Sequence, residues 1–153
     1  GSADWSAISI VKRALAIPVI ANGDVNSPED ALRCLTVTGA DGVMVGRGSM
    51  GAPWLVGRID AQLRGLTAPP PPDAAGRITL AAEQLRALVG EKGDHGLLIA
   101  RKHMGWTCHG FPGAAELRHG LMRAPTPAAA LELLHRARER LVARAQDAAA
   151  PLP

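Results

Sequence analysis

Cysteine is scarce in this chain, with two in 153 residues. Neither forms part of a pattern that would build a disulfide framework. Cys34 and Cys108 both fall within predicted helices, no signal-peptide pattern is present, and reduced thiols packed in a core are the expected state. The nearest thing to a metal cluster is His103, Cys108 and His109, but the spacing is not that of a closed zinc set and no second ligand pair accompanies it, so no metal is expected. Long apolar runs are missing too. None reaches the ~20 residues of a membrane-spanning helix, and the expectation is a soluble, cytoplasmic protein. Length sets a further limit, because a whole (β/α)8 barrel takes roughly 250 residues. The 153 residues here, 47% of them hydrophobic, can bury a modest core plus a small second unit.

What charge there is lies unevenly. Residues 1–76 carry six Lys/Arg against seven Asp/Glu, whereas 77–153 carry eleven against seven and hold all five histidines. A near-neutral part beside a basic one predicts a polyanionic partner for the basic part. Arginine-rich helices are also commonly just solvated, and Arg136, Arg138, Arg140 and Arg144 of the last helix fit that reading.

The organising stretch runs from Ile17 to Trp54. A short β-branched strand, Ile17 to Ala21, entered through Pro18, stops at Asn22-Gly23-Asp24, residue types that accept positive φ and leave backbone N–H groups uncovered. Ser27-Pro28-Glu29-Asp30 then reads as a helix start, with a serine cap, proline in the first turn and two carboxylates at the positive end. That helix carries Ala31, Leu32, Cys34 and Leu35 inward and ends near Thr38-Gly39. A second strand, Gly42 to Val45, runs into Gly46-Arg47-Gly48-Ser49-Met50-Gly51 and a further helix from about Pro53-Trp54. A glycine turn leaving a parallel strand and feeding a helix offers a phosphate free N–H groups and a favourable dipole, and Arg47 adds a charged fork. One such turn alone is usually only a turn. Two in succession, at the same end of adjacent parallel strands, match the phosphate site of many (β/α)8 barrels, built after strands seven and eight.

Around this stretch the pattern is mostly helical. Asp4 caps a first helix carrying Trp5, Ile8, Val11 and Leu15, with Trp5 as a packing residue. Leu55, Ile59 and Leu63 mark the helix that closes the first domain, residues 1–65. Residues 66–76, with four consecutive prolines, read as a stiff linker. A helical domain over 77–147 follows. It starts with Ile78, Ala81, Leu85 and Leu88 on one face and breaks over Gly90 to Gly96. From Leu97 to about His109 the core stripe is Leu97, Ala100, Met104 and Cys108, with Arg101 at its edge, while Lys102, Trp106 and His109 share the opposite sector and His103 lies beside them. A lysine, an indole and imidazoles together suit phosphate contact and stacking on a base; an ordinary exposed face with Trp106 half-buried is the plainer alternative. Phe111 anchors the turn Gly110 to Gly113, a short helix covers Ala114 to Met122, and Thr126-Pro127 opens the last helix, with Ala130, Leu133, Leu134, Ala137 and Leu141 inward. Residues 148–153 are expected to be a disordered tail.

The segments IPVIANGD, TGADGVMVGRG and GAPW, followed by RKHMGWTCHGFPGAAELRHGLMRAPTPAAALELL, resemble the C-terminal half of the bacterial tRNA-dihydrouridine synthases, the DusB-like branch in particular, over nearly the whole chain. The phosphate-turn wording is shared by several FMN-dependent barrels; the RKH and GFPGAAELR segments narrow it to this family. The resemblance implies the C-terminal part of an FMN-binding (β/α)8 barrel followed by a small helical-bundle domain. It implies reduction of uridine to 5,6-dihydrouridine in tRNA, with FMN as cofactor and NADPH as reductant. It carries Asn22, Gly23, Asp24, Gly46 and Arg47 over as FMN-binding residues, and Arg101, Lys102 and His103, with Trp106 beside them, as RNA-binding residues. No catalytic residue carries over, since the family's proton-donating cysteine belongs to earlier barrel strands. Hence the chain alone is expected to be inactive. Val19, Val43 and Val45 should lack partners, and the open strands should seek the missing barrel half or a second copy. A non-catalytic RNA-binding module with a barrel relic, or part of another FMN-dependent oxidoreductase, are the competing readings.

Overall fold

The computed structural model describes residues 2–149. They separate into two compact units, one ending at Pro71 and one beginning at Pro72.

The first unit runs α1 (Trp5–Ala14), β1 (Ile20–Asn22), α2 (Pro28–Thr38), β2 (Gly42–Met44), a single 3₁₀ turn over Arg47–Ser49, and α3 (Trp54–Leu63). Asp4 caps α1, its carboxylate accepting from the Ser6 and Ala7 amides. Ser27 caps α2, with Pro28 at the helix start, and Gly39 ends it at φ 65°. The two strands pair in parallel, Ile20 opposite Gly42, Ala21 opposite Val43 and Asn22 opposite Met44. The first strand is shorter than its apolar run and starts at Ile20 rather than Ile17, for two reasons. Pro18 has no N–H to donate, and the Val19 amide is taken by the Asp41 carboxylate at 2.7 Å. Asp41 also binds Lys12 at 2.7 Å. These two partners, the lysine first, hold its carboxyl below the usual range.

Strand alternation decides which side chains have partners. Ala21 is buried, and Val43 and Val45 pack with Trp5 and Ile8 against a core of Val25, Ala31, Cys34, Leu55 and Ile59. The other face carries Ile20 and Met44, 52% and 53% exposed, beside Val56 at 51%. The most exposed apolar groups of the strand pair are therefore Ile20 and Met44, while Val43 and Val45 are partly buried against the core and also line the open cleft beside them. Val11, Leu15 and Leu32, expected inward, are also exposed.

In the second unit α4 (Ala74–Lys92), α5 (His95–Thr107), α6 (Ala114–Arg123) and α7 (Pro127–Ala149) form a bundle. α4 packs on both α5 and α7, and α6 touches both of the latter. Its core contains Ile78, Leu85, Leu97, Met104, Cys108, Leu121 and Leu134. Helix α4 begins inside the expected linker because Asp73 is an N-cap, accepting the Gly76 amide at 2.7 Å. It also runs through Gly90, which costs only about 1 kcal/mol in a helix, and stops at Gly93, φ 59°, whose amide bonds to the Val89 carbonyl. Helix α5 ends at Thr107, so His109 lies beyond it rather than on its face. Helix α7 continues through Ala149, two residues into the expected tail; residues 150–153 lie outside the described residues, as does Gly1.

Gly96 sits where α5 leaves the end of α4, and a Cβ there would overlap the backbone of Leu88 and Val89. The obstacle is main chain, which cannot rotate away. Gly96→Ala is expected to destabilise the helical unit by about 1–3 kcal/mol, read as a lower urea midpoint in circular dichroism. An unchanged midpoint would show that the α4–α5 crossing yields freely.

Candidate functional site

The two glycine turns meet. Because Asn22 and Met44 are paired, both strands end at the same level, and the chain leaving each one lines a single open cleft of about 700 Å³ containing Asn22, Gly23, Asp24, Asn26, Gly46, Arg47 and Gly48. All five residues expected to bind the phosphate are in that set.

The first turn needs left-handed backbone at two successive positions, Gly23 at φ 126° and Asp24 at φ 53°. Aspartate tolerates such a φ better than most residues, and here its side chain is held in place. One carboxylate oxygen accepts the Ala3 amide at 2.6 Å, and the other faces the Arg47 guanidinium at 3.5 Å. Trp5 donates its indole N–H to the Gly23 carbonyl at 3.0 Å, while the Arg33 guanidinium lies over its ring, 5.3 Å from the centroid. Asp24 thus ties the turn to the N-terminal segment and faces Arg47. Asn26 adds a further tie, donating to the Asp24 carbonyl at 3.2 Å, and its own amide donates to the Asp30 carboxylate.

The second turn is closed by the Ser49 amide and hydroxyl, which both donate to the Gly46 carbonyl, at 3.1 and 2.9 Å. As at any helix start, the amides of Arg47 and Gly48 have no carbonyl of the turn to bind. Among the described residues they have no intramolecular acceptor. A Cβ at Gly48 would overlap the Val25 carbonyl oxygen, so the second turn can lie against the first only with glycine there. The Arg47 side chain is 82% exposed. Free amides, an open guanidinium and a glycine-lined approach are what a phosphate oxyanion requires, and on this test the residues fit a phosphate group.

Sequence reasoning missed Gly48 and Trp5 at this site. Gly48 was visible only as one glycine among several, since its reason is a contact between two turns. Trp5 read as packing because nothing in a sequence tells where an indole N–H finds its acceptor.

In the second unit, Lys102, His103 and Trp106 come together on α5. The Lys102 ammonium lies 6.0 Å from the Trp106 ring centroid, and the His103 and Trp106 rings meet edge to face at 5.3 Å. Burial, and then the charge of Lys102, lowers the pKa of His103 from its ordinary 6.5. Arg101 is not part of this cluster. Its guanidinium donates to the Ala124 carbonyl at 3.1 Å, linking α5 to the end of α6, and its Nε is buried without a partner.

Neither cysteine is a poised acid. Burial pushes the Cys108 thiol up to about 11, against the opposing pull of Arg77 and Arg118, and burial raises Cys34 as well.

The histidine shift has a stability consequence with a definite sign. A native pKa below the unfolded one means the unfolded chain binds more protons as pH falls, so stability should drop as pH is lowered from about 7.5 through the imidazole range and level off below the native pKa. His103→Gln should flatten that part of the profile of urea midpoint against pH. An identical slope in the variant would assign the effect to another group.

Known proteins can be compared with this geometry. The family model described as Dihydrouridine synthase (Dus) matches residues 1–145. A probable tRNA-dihydrouridine synthase 1 of Synechocystis sp. is 47% identical over 137 residues, which is 90% of this chain and 39% of the relative. A probable tRNA-dihydrouridine synthase of Rhodobacter capsulatus is 45% identical over 138 residues, 90% of this chain and 42% of the relative. The tRNA-dihydrouridine synthase B of Xanthomonas axonopodis pv. citri is 45% identical over 136 residues, 87% of this chain and 40% of the relative. The chain spans about two fifths of the length of these relatives. With the family match running through both units, the chain belongs to the dihydrouridine synthase family.

Proposed function

We propose that this chain is the C-terminal portion of an FMN-dependent tRNA-dihydrouridine synthase, holding the phosphate end of the cofactor in its first unit and tRNA in its second. The observation that carries the reading is the single cleft lined by both glycine turns. When bound, FMN supplies the hydride chemistry for the uridine C5=C6 bond, with NADPH as reductant. The chain's own residues do the holding: the Arg47 and Gly48 amides and the Arg47 guanidinium take the phosphate, Asp24 aims the guanidinium, and Trp5 fixes the turn through Gly23.

The exposed apolar face of the strands fits the same reading. In a barrel, alternate strand residues fill the interior, and Ile20 and Met44 are left in water with Val56 and Leu63 on the same open cleft. At about 25 cal/mol per Å², covering a few hundred Å² of such surface is worth several kcal/mol. The remaining barrel strands, or a second copy of the chain, are the proposed cover. Neither thiol fits the role of proton donor to a uridine carbon, since both are buried and raised. The chain by itself is therefore proposed to be inactive.

For the RNA side, Lys102 supplies the phosphate charge and Trp106 the stacking face. His103, neutral near pH 7, contributes an edge and a hydrogen bond rather than charge. A non-catalytic RNA-binding module would share this second unit, but the cleft in the first favours a cofactor. Lys102→Ala is expected to weaken tRNA binding and reduce the slope of log affinity against log salt by about one counterion. The same preparations should reduce no uridine when FMN and NADPH are added. Salt-independent binding would defeat the RNA assignment; turnover would defeat the assignment of the proton donor to residues outside this chain.

A further inference from the structure

The arginines of α7 do not have equal surroundings. Arg136 is ion-paired with Glu132 at 2.7 Å. Arg138 instead donates from Nε to the Thr79 hydroxyl of α4 at 3.1 Å, a hydroxyl already fixed by its own bond to the Ala75 carbonyl. About two turns further along α4, Arg86 lies with a terminal nitrogen 3.3 Å from Nε2 of His135 on α7. Neither guanidinium is thus held by a carboxylate. Among the described residues neither is in an ion pair.

These groups border one groove between the two helices, about 160 Å³ in volume, whose lining also includes Ile78, Ala82 and Leu134. Those three are 1%, 5% and 0% exposed, so the floor is apolar. Arg86, His135 and Arg138 are exposed, and two guanidiniums on one rim attract an anion together. Guanidiniums present paired donors that match the oxygens of a phosphate. Carboxylate partners would be the ordinary way to neutralise such a pair within the fold, and the fold does not use them.

We propose that the α4–α7 groove, with Arg86, His135 and Arg138 on its rim, is a binding site for a phosphate group. The phosphate is that of an RNA backbone or of a small phosphorylated molecule; the same donors serve both. The site is separate from the Lys102, His103 and Trp106 cluster and does not depend on the function proposed for it. Anion binding turns the contact between Arg86 and His135 into a shared grip, with the phosphate oxygens accepting from both arginines.

The test uses the full chain labelled with ¹⁵N. Its arginine Nε and histidine ring signals are followed while sodium phosphate is added, against sodium chloride at equal ionic strength. Saturable shifts of Arg86, Arg138 and His135 with phosphate alone are expected. Arg86→Gln and Arg138→Gln should each weaken the response by about tenfold or more, while Arg136→Gln leaves it unchanged. Thermal melts of each variant control for folding, and the wild-type titration stands without any variant. A short oligoribonucleotide and a nucleoside monophosphate form the second arm: shifts with the first assign the site to RNA, and shifts with the second alone assign it to a free phosphate. Equal shifts with chloride and phosphate, or a loss in Arg136→Gln as large as in Arg86→Gln, would overturn the proposal. Because Lys102→Ala leaves these signals in place, failure here and failure of the tRNA reading are separable.

Discussion

Parallel pairing of β1 with β2 in the register Asn22 to Met44 ends the two strands side by side, and the cleft exists only because of it. A slip of one residue would turn Ala21 out of its buried position and carry the two glycine turns to different levels. Three tertiary ties keep the register useful. Asp41 fixes the start of the strand pair through Val19 and Lys12, Trp5 and Ala3 hold the first turn from the N-terminal side, and Gly48 lets the second turn lie against the first. Each tie spends a polar group on geometry, so the amides of Arg47 and Gly48 remain for a ligand.

The second unit solves a different problem. Its four helices bury a common apolar core, with α4 and α5 in close approach at Gly96, and their basic residues divide by partner. Arg101 and Arg118 bond main-chain carbonyls at helix ends and serve the fold. Arg136 is neutralised by Glu132. Lys102, Arg86 and Arg138 have no carboxylate partner among the described residues, and Arg140 and Arg144 share that condition. Net charge alone, +3 for the chain, would not have separated these roles.

Much of this was legible in the sequence wherever the cause is local. The Asp4 and Ser27 caps, the Gly39 terminus and the paired turns follow from residue types in consecutive positions, and the structure contains each of them. Helix ends that depend on weighing two local signals came out less well. Asp73 capped a helix inside a proline-rich stretch, and Gly90 was too weak a breaker to stop α4. What depends on distant contacts could not be read. The strand face that remains uncovered, the indole bond of Trp5, the requirement for glycine at 48 and the diversion of Arg101 to Ala124 all arise from groups brought together by folding.

The central claim is that the first unit recognises the phosphate end of a flavin cofactor rather than its ring. Comparing FMN with riboflavin, which differs only in lacking the phosphate, tests it directly in amide spectra of the folded chain. Millimolar FMN should shift the Gly23, Gly46 and Gly48 amides saturably, and riboflavin should leave them in place or act at least about tenfold more weakly, as expected for loss of charged hydrogen bonds. Equal shifts with both flavins, or none with FMN, would contradict the account.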